Sequence, residues 1–372
     1  MKVLLVGNYA FDATTSMKIF ADTMYRELSR DGIDVRVLTP KALLGKLKPS
    51  ATGLGKWLGY VDKFLLFPFT LRRAAAKADV VHICDHSNAM YSFAAGSTPV
   101  LATCHDLIAV RGALGEVPDC PASFFGKTLQ RWVLRGLKRA TRVACVSDYT
   151  YQDALRLLGK DARLVTVLNG LVYPFQRLSE DEVERRLTAA PALERPFVMH
   201  IGSNLMRKNR EAVLRVFAQV ARQADAQLVI AGQPLSTELK RQAERLGILE
   251  RIVEIAHPGV ELVEALYNKA AVLFFPSRYE GFGWPPIEAQ ACGCPVVASD
   301  IPTSVEVLGD SAKLFPLDDE AGMAGAVTAY VEDSSARAAA RLKGLENVQA
   351  RFQPSRMIEQ YETLYRELVC PS

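Results

Sequence analysis

The sequence has few of the features that mark secreted or membrane-spanning chains. Its seven cysteines are scattered among 372 residues, which is typical of reduced thiols rather than of a disulfide framework. No stretch approaches about 18 uninterrupted apolar residues, so we expect no membrane-spanning helix. The first apolar run, 3–6, lacks the length and the cleavage site of a signal peptide. We therefore expect a cytoplasmic chain.

Charge and motif patterns argue against three further classes. The formal net charge is only +4, from 45 Lys and Arg against 41 Asp and Glu, so we expect no nucleic-acid partner, which would need a concentrated basic surface. No Gly-x-Gly-x-x-Gly follows the first predicted strand, as a dinucleotide-dependent oxidoreductase would require. Cys292-Gly-Cys294 has no second close cysteine pair, and we interpret both thiols as small core residues rather than as metal ligands.

The sequence does contain short β-branched runs that alternate with longer amphipathic segments. This order predicts parallel sheets covered by helices on both faces. The first series of predicted strands is 3–6, 34–38, 79–83, 100–103 and 142–146. The second series is 197–201, 227–231, 252–255, 271–275 and 295–298.

The alternation pauses between residues 171 and 196, and 372 residues are too many for one ordinary core. We predict an α/β fold of two Rossmann-like, doubly wound domains that face a central cleft. The predicted limits are 1–172 for the first domain and 173–352 for the second. A C-terminal helix in 353–372 is expected to pack back towards the first domain. Because such sheets bind ligands at the carboxyl ends of their strands, we expect the active site there.

The most informative segment is 275–297. Glu280 follows a buried strand, glycines flank position 282, and a helix is predicted to begin at 285–286 with Glu288 in its first turn. Glycines let a ligand approach the backbone, and a helix N-terminus offers N–H groups to an anion. We predict a phosphate site whose two carboxylates accept hydrogen bonds from sugar or ribose hydroxyls. The alternative is an ordinary turn in which Glu288 complements the helix dipole.

A second segment, 199–209, places two adjacent cations, Arg207 and Lys208, between a strand ending at Gly202 and the next helix. Cations at a helix entry are unfavourable unless an anion lies between them. A diphosphate would supply that anion. The alternative is a pair of solvated loop cations.

These two segments resemble the signature of the GT-B-fold retaining glycosyltransferases, in the large family of bacterial mannosyl-, rhamnosyl-, glucosyl- and N-acetylglucosaminyltransferases. The resemblance rests on the Glu-x7-Glu spacing of Glu280 and Glu288, on the loop from Gly202 to Lys208, and on Gly-Cys-Pro-Val-Val at 293–297. Weaker matches are His105-Asp106-Leu107, Val146-Ser147 and Asn169-Gly170.

The resemblance implies that Lys208, assisted by Arg207, holds the pyrophosphate of a nucleotide diphosphate sugar, that Glu280 contacts the transferred sugar, and that Glu288 binds the ribose. Ser203 stands where many relatives have Arg. The implied donor-binding residues are Gly202, Ser203, Arg207, Lys208, His257, Glu280, Gly281, Phe282, Gly283 and Glu288.

The implied catalytic residues are His105, Asp106 and Glu280. His105 and Asp106 end a strand of the first domain, and the alternative for them is a capping Asp beside a structural His. We interpret His82 and His200 as strand residues, and the sequence gives His86 no comparable context. No Asp-x-Asp occurs beside a strand, so we expect metal-independent transfer without a cofactor. The resemblance implies front-face attack with retention of configuration.

The acceptor side belongs to the first domain, where Gly7 and Asn8 follow the first strand, although a tight turn explains Gly7 equally well. The segment 43–77 mixes Lys and Arg with aromatic residues, a composition that can seat a chain on an anionic membrane. The alternative is that its apolar residues pack on the sheet. We expect a glycan or polyprenyl-diphosphate-linked acceptor at the inner face of the cell membrane.

The sequence thus predicts a hexosyltransferase of cell-surface polysaccharide synthesis, with GDP-mannose as the preferred donor. A nucleotide-sugar epimerase or a catalytically silent sugar-nucleotide binding protein of related fold remains the alternative.

Overall fold

The computed structural model describes residues 1–12, 15–48, 53–159 and 163–370. They form two compact units: unit 1 comprises Met1–Tyr173 and Pro354–Ser372, and unit 2 comprises Pro174–Gln353. The chain passes between units beside the predicted limits, which fall after residues 172 and 352. Positions 49–52 of the proposed membrane segment lie outside the described residues.

Unit 1 contains a six-stranded parallel sheet of order β2-β1-β3-β4-β5-β6. Its strands are β1 (Lys2–Val6), β2 (Asp34–Leu38), β3 (Val80–Ile83), β4 (Val100–Cys104), β5 (Arg142–Cys145) and β6 (Leu164–Thr166). Its helices are α1 (Thr15–Arg30), α2 (Gly53–Val61), α3 (Phe67–Ala75), α4 (Ile108–Ala113), α5 (Phe124–Arg139), α6 (Asp148–Leu158) and the C-terminal α15 (Pro354–Val369). A π-helical turn, Asp62–Leu66, joins α2 to α3, and His86–Ala94 is a 3₁₀ helix.

Unit 2 contains a second six-stranded parallel sheet, of order β12-β11-β10-β7-β8-β9. Its strands are β7 (Phe197–Gly202), β8 (Gln227–Gly232), β9 (Ile252–Ala256), β10 (Val272–Phe275), β11 (Val296–Ser299) and β12 (Lys313–Phe315). Its helices are α7 (Glu180–Leu187), α8 (Arg210–Val220), α9 (Thr237–Arg245), α10 (Val260–Lys269), α11 (Trp284–Ala291), α12 (Pro302–Leu308), α13 (Glu320–Glu332) and α14 (Ser334–Arg351).

Two strands in the interior of each sheet are buried along their whole length. β3, β4, β10 and β11 have every residue buried, as is expected of parallel strands covered by helices on both faces. The predicted two-domain, doubly wound α/β fold is therefore confirmed. Among the described residues, no helix combines the length and apolarity needed to cross a bilayer.

Each sheet contains one place where the winding of the chain reverses direction. In unit 1 this point lies between β1 and β3, and in unit 2 it lies between β7 and β10. The loops after two such strands diverge and leave a crevice at the carboxyl edge, where ligands of doubly wound sheets bind. The fold thus directs attention to the loops after β1, β3, β7 and β10.

The C-terminal helix α15 is fastened to unit 1 by buried tyrosines. The hydroxyl of Tyr365 lies 2.7 Å from His82 Nδ1, while His82 Nε2 lies 2.7 Å from Thr103 Oγ1. The Tyr361 hydroxyl is 2.8 Å from the same threonine oxygen. His82 is a strand residue in this polar network, and burial lowers its pKa to about 3.

Candidate active site

The two loops at the reversal point of unit 2 bring the predicted cations and a carboxylate together. Lys208 Nζ donates a hydrogen bond to Glu280 Oε1 at 2.5 Å, and Arg207 donates from Nη1 to Glu280 Oε2 at 3.0 Å. Lys208 and Glu280 are both buried. The backbone N–H of Arg278 donates to the carbonyl of Arg207 at 2.8 Å, so the loops are also joined through their main chains.

Electrostatics keep Glu280 ionised. Burial opposes the charged form, but the positive charges of Lys208 and Arg207 outweigh it and hold the pKa of Glu280 below its ordinary range. Thr303 fixes the same residue by donating to its backbone carbonyl at 2.8 Å. The cluster therefore holds two cations against one carboxylate and has a net positive charge, which suits an incoming anion.

Arg210, which the sequence analysis missed, organises the loop after β7. Its buried guanidinium donates to Gly202 O at 2.8 Å, to Gln233 O at 2.7 Å and to Asn204 Oδ1 at 2.6 Å. Burial lowers its pKa to about 10. The signal in the sequence was a third cation in the run Arg207-Lys208-Asn209-Arg210, at a helix start where a cation is unfavourable without acceptors.

Glycine is required where β7 and β8 end side by side. Gly202 pairs with Gly232 across the strands. Gly232 has φ +102°, and a Cβ there would stand 2.6 Å from the carbonyl oxygen of Gly202. Any larger residue would displace the loop that carries the two cations. Ser203, the next residue in this loop, is half-buried.

The helix after the glycine loop differs from the prediction in two ways. α11 begins at Trp284 rather than at 285–286, so Glu288 lies in its second turn and not in its first. Pro285 and Pro286 occupy the first turn and have no N–H, which removes two of the four amides that a helix start can offer an anion. A phosphate at this helix start would therefore have to be held mainly by side chains and by the N–H groups of the glycine loop.

The glycine loop itself combines buried and accessible residues. Gly281 and Phe282 are buried, and the Phe282 ring contacts Phe352 at 5.7 Å between centroids. Gly283 has φ +93° and precedes α11 as its N-cap. This left-handed conformation favours glycine and turns the chain into the helix.

Glu288 is held by a buried tyrosine. The hydroxyl of Tyr267 donates to Glu288 Oε2 at 3.0 Å. Desolvation raises the pKa of Glu288 to about 7, although the tyrosine hydrogen bond and Lys208 act in the opposite direction. The carboxyl group can therefore serve as donor or acceptor near neutral pH, as a group facing ribose hydroxyls would need.

His257 lies at the end of β9, two strands away from the reversal point. It is exposed, its φ is +48°, and its N–H donates to Gly232 O at 2.8 Å. Asn209, also in the left-handed region with φ +53°, donates from its side chain to Pro276 O at 3.1 Å. Positive φ is uncommon for residues other than glycine, and it is found preferentially at functional loops.

In unit 1 the predicted Gly7, Asn8, His105 and Asp106 gather at the other reversal point. Asn8 Nδ2 donates to Asp85 Oδ2 at 2.6 Å, which joins the loops after β1 and β3. The N–H of Gly7 donates to Leu38 O at 3.1 Å, a contact that continues the pairing of β1 with β2. The Asp106 carboxylate accepts from the N–H of Ile108 at 3.0 Å, the capping contact named above as the alternative.

His86 belongs to the same cluster, which corrects the sequence analysis. The backbone N–H of His105 donates to His86 Nδ1 at 3.3 Å, and His86 Nε2 lies 3.9 Å from Asp106 Oδ1. The sequence spacing could not show this, because β3 and β4 bring residues 86 and 105 to the same sheet edge. His105 is buried and its Nε2 lies 2.9 Å from the carbonyl oxygen of Cys84.

The cluster in unit 1 is built from neutral imidazole and an ionised carboxyl group. Burial lowers the pKa of His105 to about 4, although Asp85 acts against this shift. Burial raises the pKa of Asp85, but His86, His105 and the hydrogen bond from Asn8 together bring it below its ordinary range. His200, the other histidine interpreted as a strand residue, lies in β7 of unit 2, and burial lowers its pKa to about 3.

Within the described ranges, no three His, Cys, Asp or Glu side chains are arranged to hold a metal ion. Cys292 and Cys294 are buried free thiols.

Two family profiles match nearly consecutive parts of the chain. The profile of the glycosyl transferases group 1 matches residues 184–345, which include every residue of the cluster in unit 2. The profile of glycosyltransferase family 4 matches residues 17–172 of unit 1. Together the two matches span most of the chain, which is a glycosyltransferase with one such profile in each unit.

Curated relatives of this glycosyltransferase include two mannosyltransferases. It is 28% identical over 369 residues to the phosphatidyl-myo-inositol mannosyltransferase of Mycolicibacterium smegmatis, with 94% of this chain and 89% of the relative covered. It is 27% identical over 209 residues to the O-antigen chain mannosyltransferase of Salmonella typhimurium. That alignment covers 56% of each chain, so this glycosyltransferase spans little more than half the length of the second relative.

Solved structures support the GT-B fold. The Anabaena protein Alr3699/HepE, solved in complex with UDP and glucose, superposes with a TM-score of 0.75 at 18% identity, covering 98% of this glycosyltransferase and 99% of the Anabaena chain. At that identity the likeness establishes the fold alone.

Proposed function

We propose that the protein is a retaining hexosyltransferase that uses a nucleotide diphosphate sugar as donor. The observation that carries the proposal is the cluster of buried Lys208 and Glu280 with half-buried Arg207 at the reversal point of unit 2. Two cations and one carboxylate at the carboxyl edge of a doubly wound sheet suit a ligand that joins a diphosphate to a polyol. A nucleotide sugar is such a ligand.

In this proposal the diphosphate takes over the contacts of Glu280. Lys208 and Arg207 turn from the carboxylate to the phosphate oxygens and neutralise the charge that develops on the leaving diphosphate. Glu280 is released to accept hydrogen bonds from the hexose hydroxyls and orient the ring. Because the two side-chain cations would neutralise this charge, we propose that transfer needs no metal ion.

The reaction breaks the bond between the anomeric carbon and the diphosphate oxygen, and it forms a bond from the same face to an acceptor hydroxyl. We propose that the departing phosphate oxygen receives the hydroxyl proton, so that configuration is retained. His105, neutral and fixed beside His86, would contact the reacting sugar, and Gly7 and Asn8 would line the acceptor side.

The proposed donor is GDP-mannose and the proposed acceptor is a glycan or polyprenyl-diphosphate-linked glycan of cell-surface polysaccharide synthesis. The mannosyltransferases among the sequence relatives support mannose. UDP-glucose is the main competing donor, since the Anabaena structure contains UDP and glucose. An acceptor of this kind would place the enzyme at the inner face of the cell membrane.

The test is release of nucleoside diphosphate from GDP-mannose, UDP-glucose, UDP-N-acetylglucosamine and ADP-glucose, with a lipid-linked monosaccharide in vesicles as acceptor. We expect acceptor-dependent release from one donor, unchanged by EDTA, and an α-linked product from an α-linked donor by NMR. The Lys240→Ala protein, which changes an exposed lysine of unit 2, serves as the matched control for Lys208→Ala.

Three outcomes would contradict the proposal. Conversion of donor without acceptor would favour an epimerase, and nucleotide binding without release would favour a silent binding protein. An inverted product would overturn the retaining mechanism alone.

A further inference from the structure

Unit 1 contains an apolar groove that the donor chemistry does not use. Its volume is about 310 Å³, and it lies between α3, the 3₁₀ helix His86–Ala94 and α5. Its walls are mainly aromatic and aliphatic, with one cation. The side chains that line it include Phe64, Phe69, Arg72, Phe93, Ala94 and Trp132.

The groove continues into a band of exposed aromatic residues. Phe69 is 65% exposed and Phe125 is 66% exposed. The rings of Phe64 and Trp132 lie 5.3 Å apart, and Trp57 contacts Phe125 across helices at 5.7 Å, both between centroids. Exposed aromatic residues that adjoin one another mark an interaction surface, because single exposed apolar residues are common but clustered ones are not.

The helices around the groove are strongly basic. Segments 53–77 and 121–139 each contain five Lys or Arg residues, ten in all, and Asp62 is their one acidic residue. Lys63 pairs with Asp12 at 2.7 Å, and Arg72 lines the groove itself. The segment 86–94 contains no acidic residue. The surface therefore complements an anionic ligand.

Asp62 does not offset this charge at the surface. It is buried, and its carboxylate accepts hydrogen bonds from the Tyr9 hydroxyl at 2.9 Å and from the N–H groups of Leu44 at 3.0 Å and Gly45 at 2.9 Å. Burial opposes its ionisation, yet these backbone bonds and Tyr9 hold the pKa of Asp62 below its ordinary value. Asp62 therefore holds the backbone of residues 43–45 from a buried position.

We propose that this groove binds the hydrocarbon chain of an anionic lipid-linked acceptor, while the aromatic band contacts the bilayer and the basic helices face the phosphate groups. The inference rests on the proposed function, since it names the acceptor's lipid part. A flat amphipathic face would suffice to bind a bilayer. A groove with aromatic walls and one cation matches a single chain with a charged head.

The test uses the intrinsic fluorescence of Trp132 as a reporter inside the groove. The protein has three tryptophans, so the changes Trp57→Phe and Trp284→Phe leave Trp132 alone. The probe is 12-bromododecyl phosphate below its critical micelle concentration, because bromine quenches a nearby indole. Propyl phosphate, which has the head but no chain, and 12-bromododecanol, which has the chain but no charge, are the comparison probes.

We expect saturable quenching by the bromododecyl phosphate and none by propyl phosphate. Ala94→Phe, which fills the groove without changing charge, should weaken binding at least tenfold. Phe69→Ser should weaken it several-fold, and as an exposed position it should leave folding intact. Ala76→Phe adds the same ring to an exposed site that does not line the groove and should leave binding unchanged. Arg72→Gln should weaken the phosphate probe more than the alcohol.

The proposal is overturned if quenching does not saturate, if Ala94→Phe and Phe69→Ser both bind like the parent protein, or if a concentration-dependent dimer shields Trp132. Nucleotide binding is measured on the wild-type protein in parallel. If the hydrocarbon probe binds but no nucleotide does, the proposed lipid groove stands and the proposed glycosyl transfer is contradicted. If nucleotide is released but the hydrocarbon probe does not bind, the proposed transfer stands and the lipid groove is contradicted.

Discussion

The two reversal points of the molecule have the same place in their sheets but opposite chemistry. In unit 2 the loops after β7 and β10 carry two cations held by one buried carboxylate. In unit 1 the loops after β1, β3 and β4 carry Asn8, Asp85 and two histidines, with His105 kept neutral by burial. The two clusters therefore differ in charge, and under the proposed function the cluster of unit 2 would face a polyanion and the cluster of unit 1 an uncharged hydroxyl-bearing reactant.

The two clusters also differ in how their charged groups are paired in the ligand-free protein. The cations of unit 2 are pre-paired by Glu280, which lowers the cost of burying them. In unit 1, burial lowers the pKa of His105 to about 4, so its imidazole is neutral near pH 7 and brings no buried positive charge that would need a carboxylate. The experiments that follow test the paired cations of unit 2 and the neutral histidine of unit 1 separately.

The largest effect is expected from removing the carboxylate of unit 2. Glu280→Gln should lower transfer by about a thousandfold, since Glu280 both orients the sugar and holds Lys208. It should also destabilise the free protein by about 3 kcal/mol, because it removes the carboxylate that pairs with a buried cation. Nucleoside diphosphate should restore most of that stability. Thermal melts with and without nucleotide, beside initial rates, measure both quantities.

Glu184→Gln, which breaks an exposed ion pair with Lys269, is the control for Glu280→Gln. Equal stability of the Glu280→Gln and wild-type proteins would show that the buried cluster does not neutralise Lys208.

A smaller effect is expected in unit 1. His105→Gln should reduce transfer by about a hundredfold, in the range of a group that acts at the reacting centre, and should leave nucleotide binding unchanged. His86→Gln should cost less, since His86 acts by accepting the backbone N–H of His105. Rates measured with saturating donor, together with calorimetric nucleotide affinities, make the comparison. A loss of nucleotide affinity in His105→Gln would contradict the division of roles.

A backbone change should affect unit 2 alone. Gly232→Ala places a Cβ 2.6 Å from the Gly202 carbonyl at φ +102°, and we expect a stability loss of about 1–3 kcal/mol with weaker nucleotide binding. Gly325→Ala, at a helical position where a Cβ meets nothing within 4 Å, is the matched control. Unchanged nucleotide affinity in Gly232→Ala would show that the loop tolerates the displacement.

The smallest effect concerns acid stability. The pKa values of His82 and His200 are about 3 and that of His105 is about 4, against an ordinary 6.5, because all three are buried. Above pH 6.5 these groups are neutral in both the folded and the unfolded chain, so they add no pH dependence to the free energy of unfolding. As the pH falls below 6.5, the unfolded chain binds protons that the folded chain does not, so stability is lost down to about pH 4 for His105 and about pH 3 for His82 and His200.

Urea midpoints at pH 7.5, 6 and 5 measure this loss. His200→Gln should reduce the change in the free energy of unfolding between pH 6.5 and 5 by about 1.5 kcal/mol. A midpoint that does not fall between pH 7.5 and 5 would contradict the buried neutral histidines.

Sequence patterns predicted the alternating strands well, because parallel strands buried on both faces read as apolar runs. They missed β12, a three-residue edge strand that includes the exposed Lys313. They also predicted no helices in 53–75, because many of the aromatic residues there lie at the surface and do not form the apolar face of a buried helix. The positions of His86 and Arg210 in the two clusters were not predicted, because their contacts join loops that are distant in sequence. The start of α11 was misplaced because Pro285 and Pro286 were taken as its first residues.

The most direct test of the account is the thermal shift produced by GDP, UDP, ADP, dTDP and CMP on wild-type and Lys208→Ala proteins, with Lys240→Ala as control. A ligand that binds only the folded state must raise the melting temperature. The account predicts a shift with one nucleoside diphosphate, preserved in Lys240→Ala and largely lost in Lys208→Ala. No shift with any nucleotide, or an equal shift in Lys208→Ala, would contradict the diphosphate site on which the proposed transfer depends.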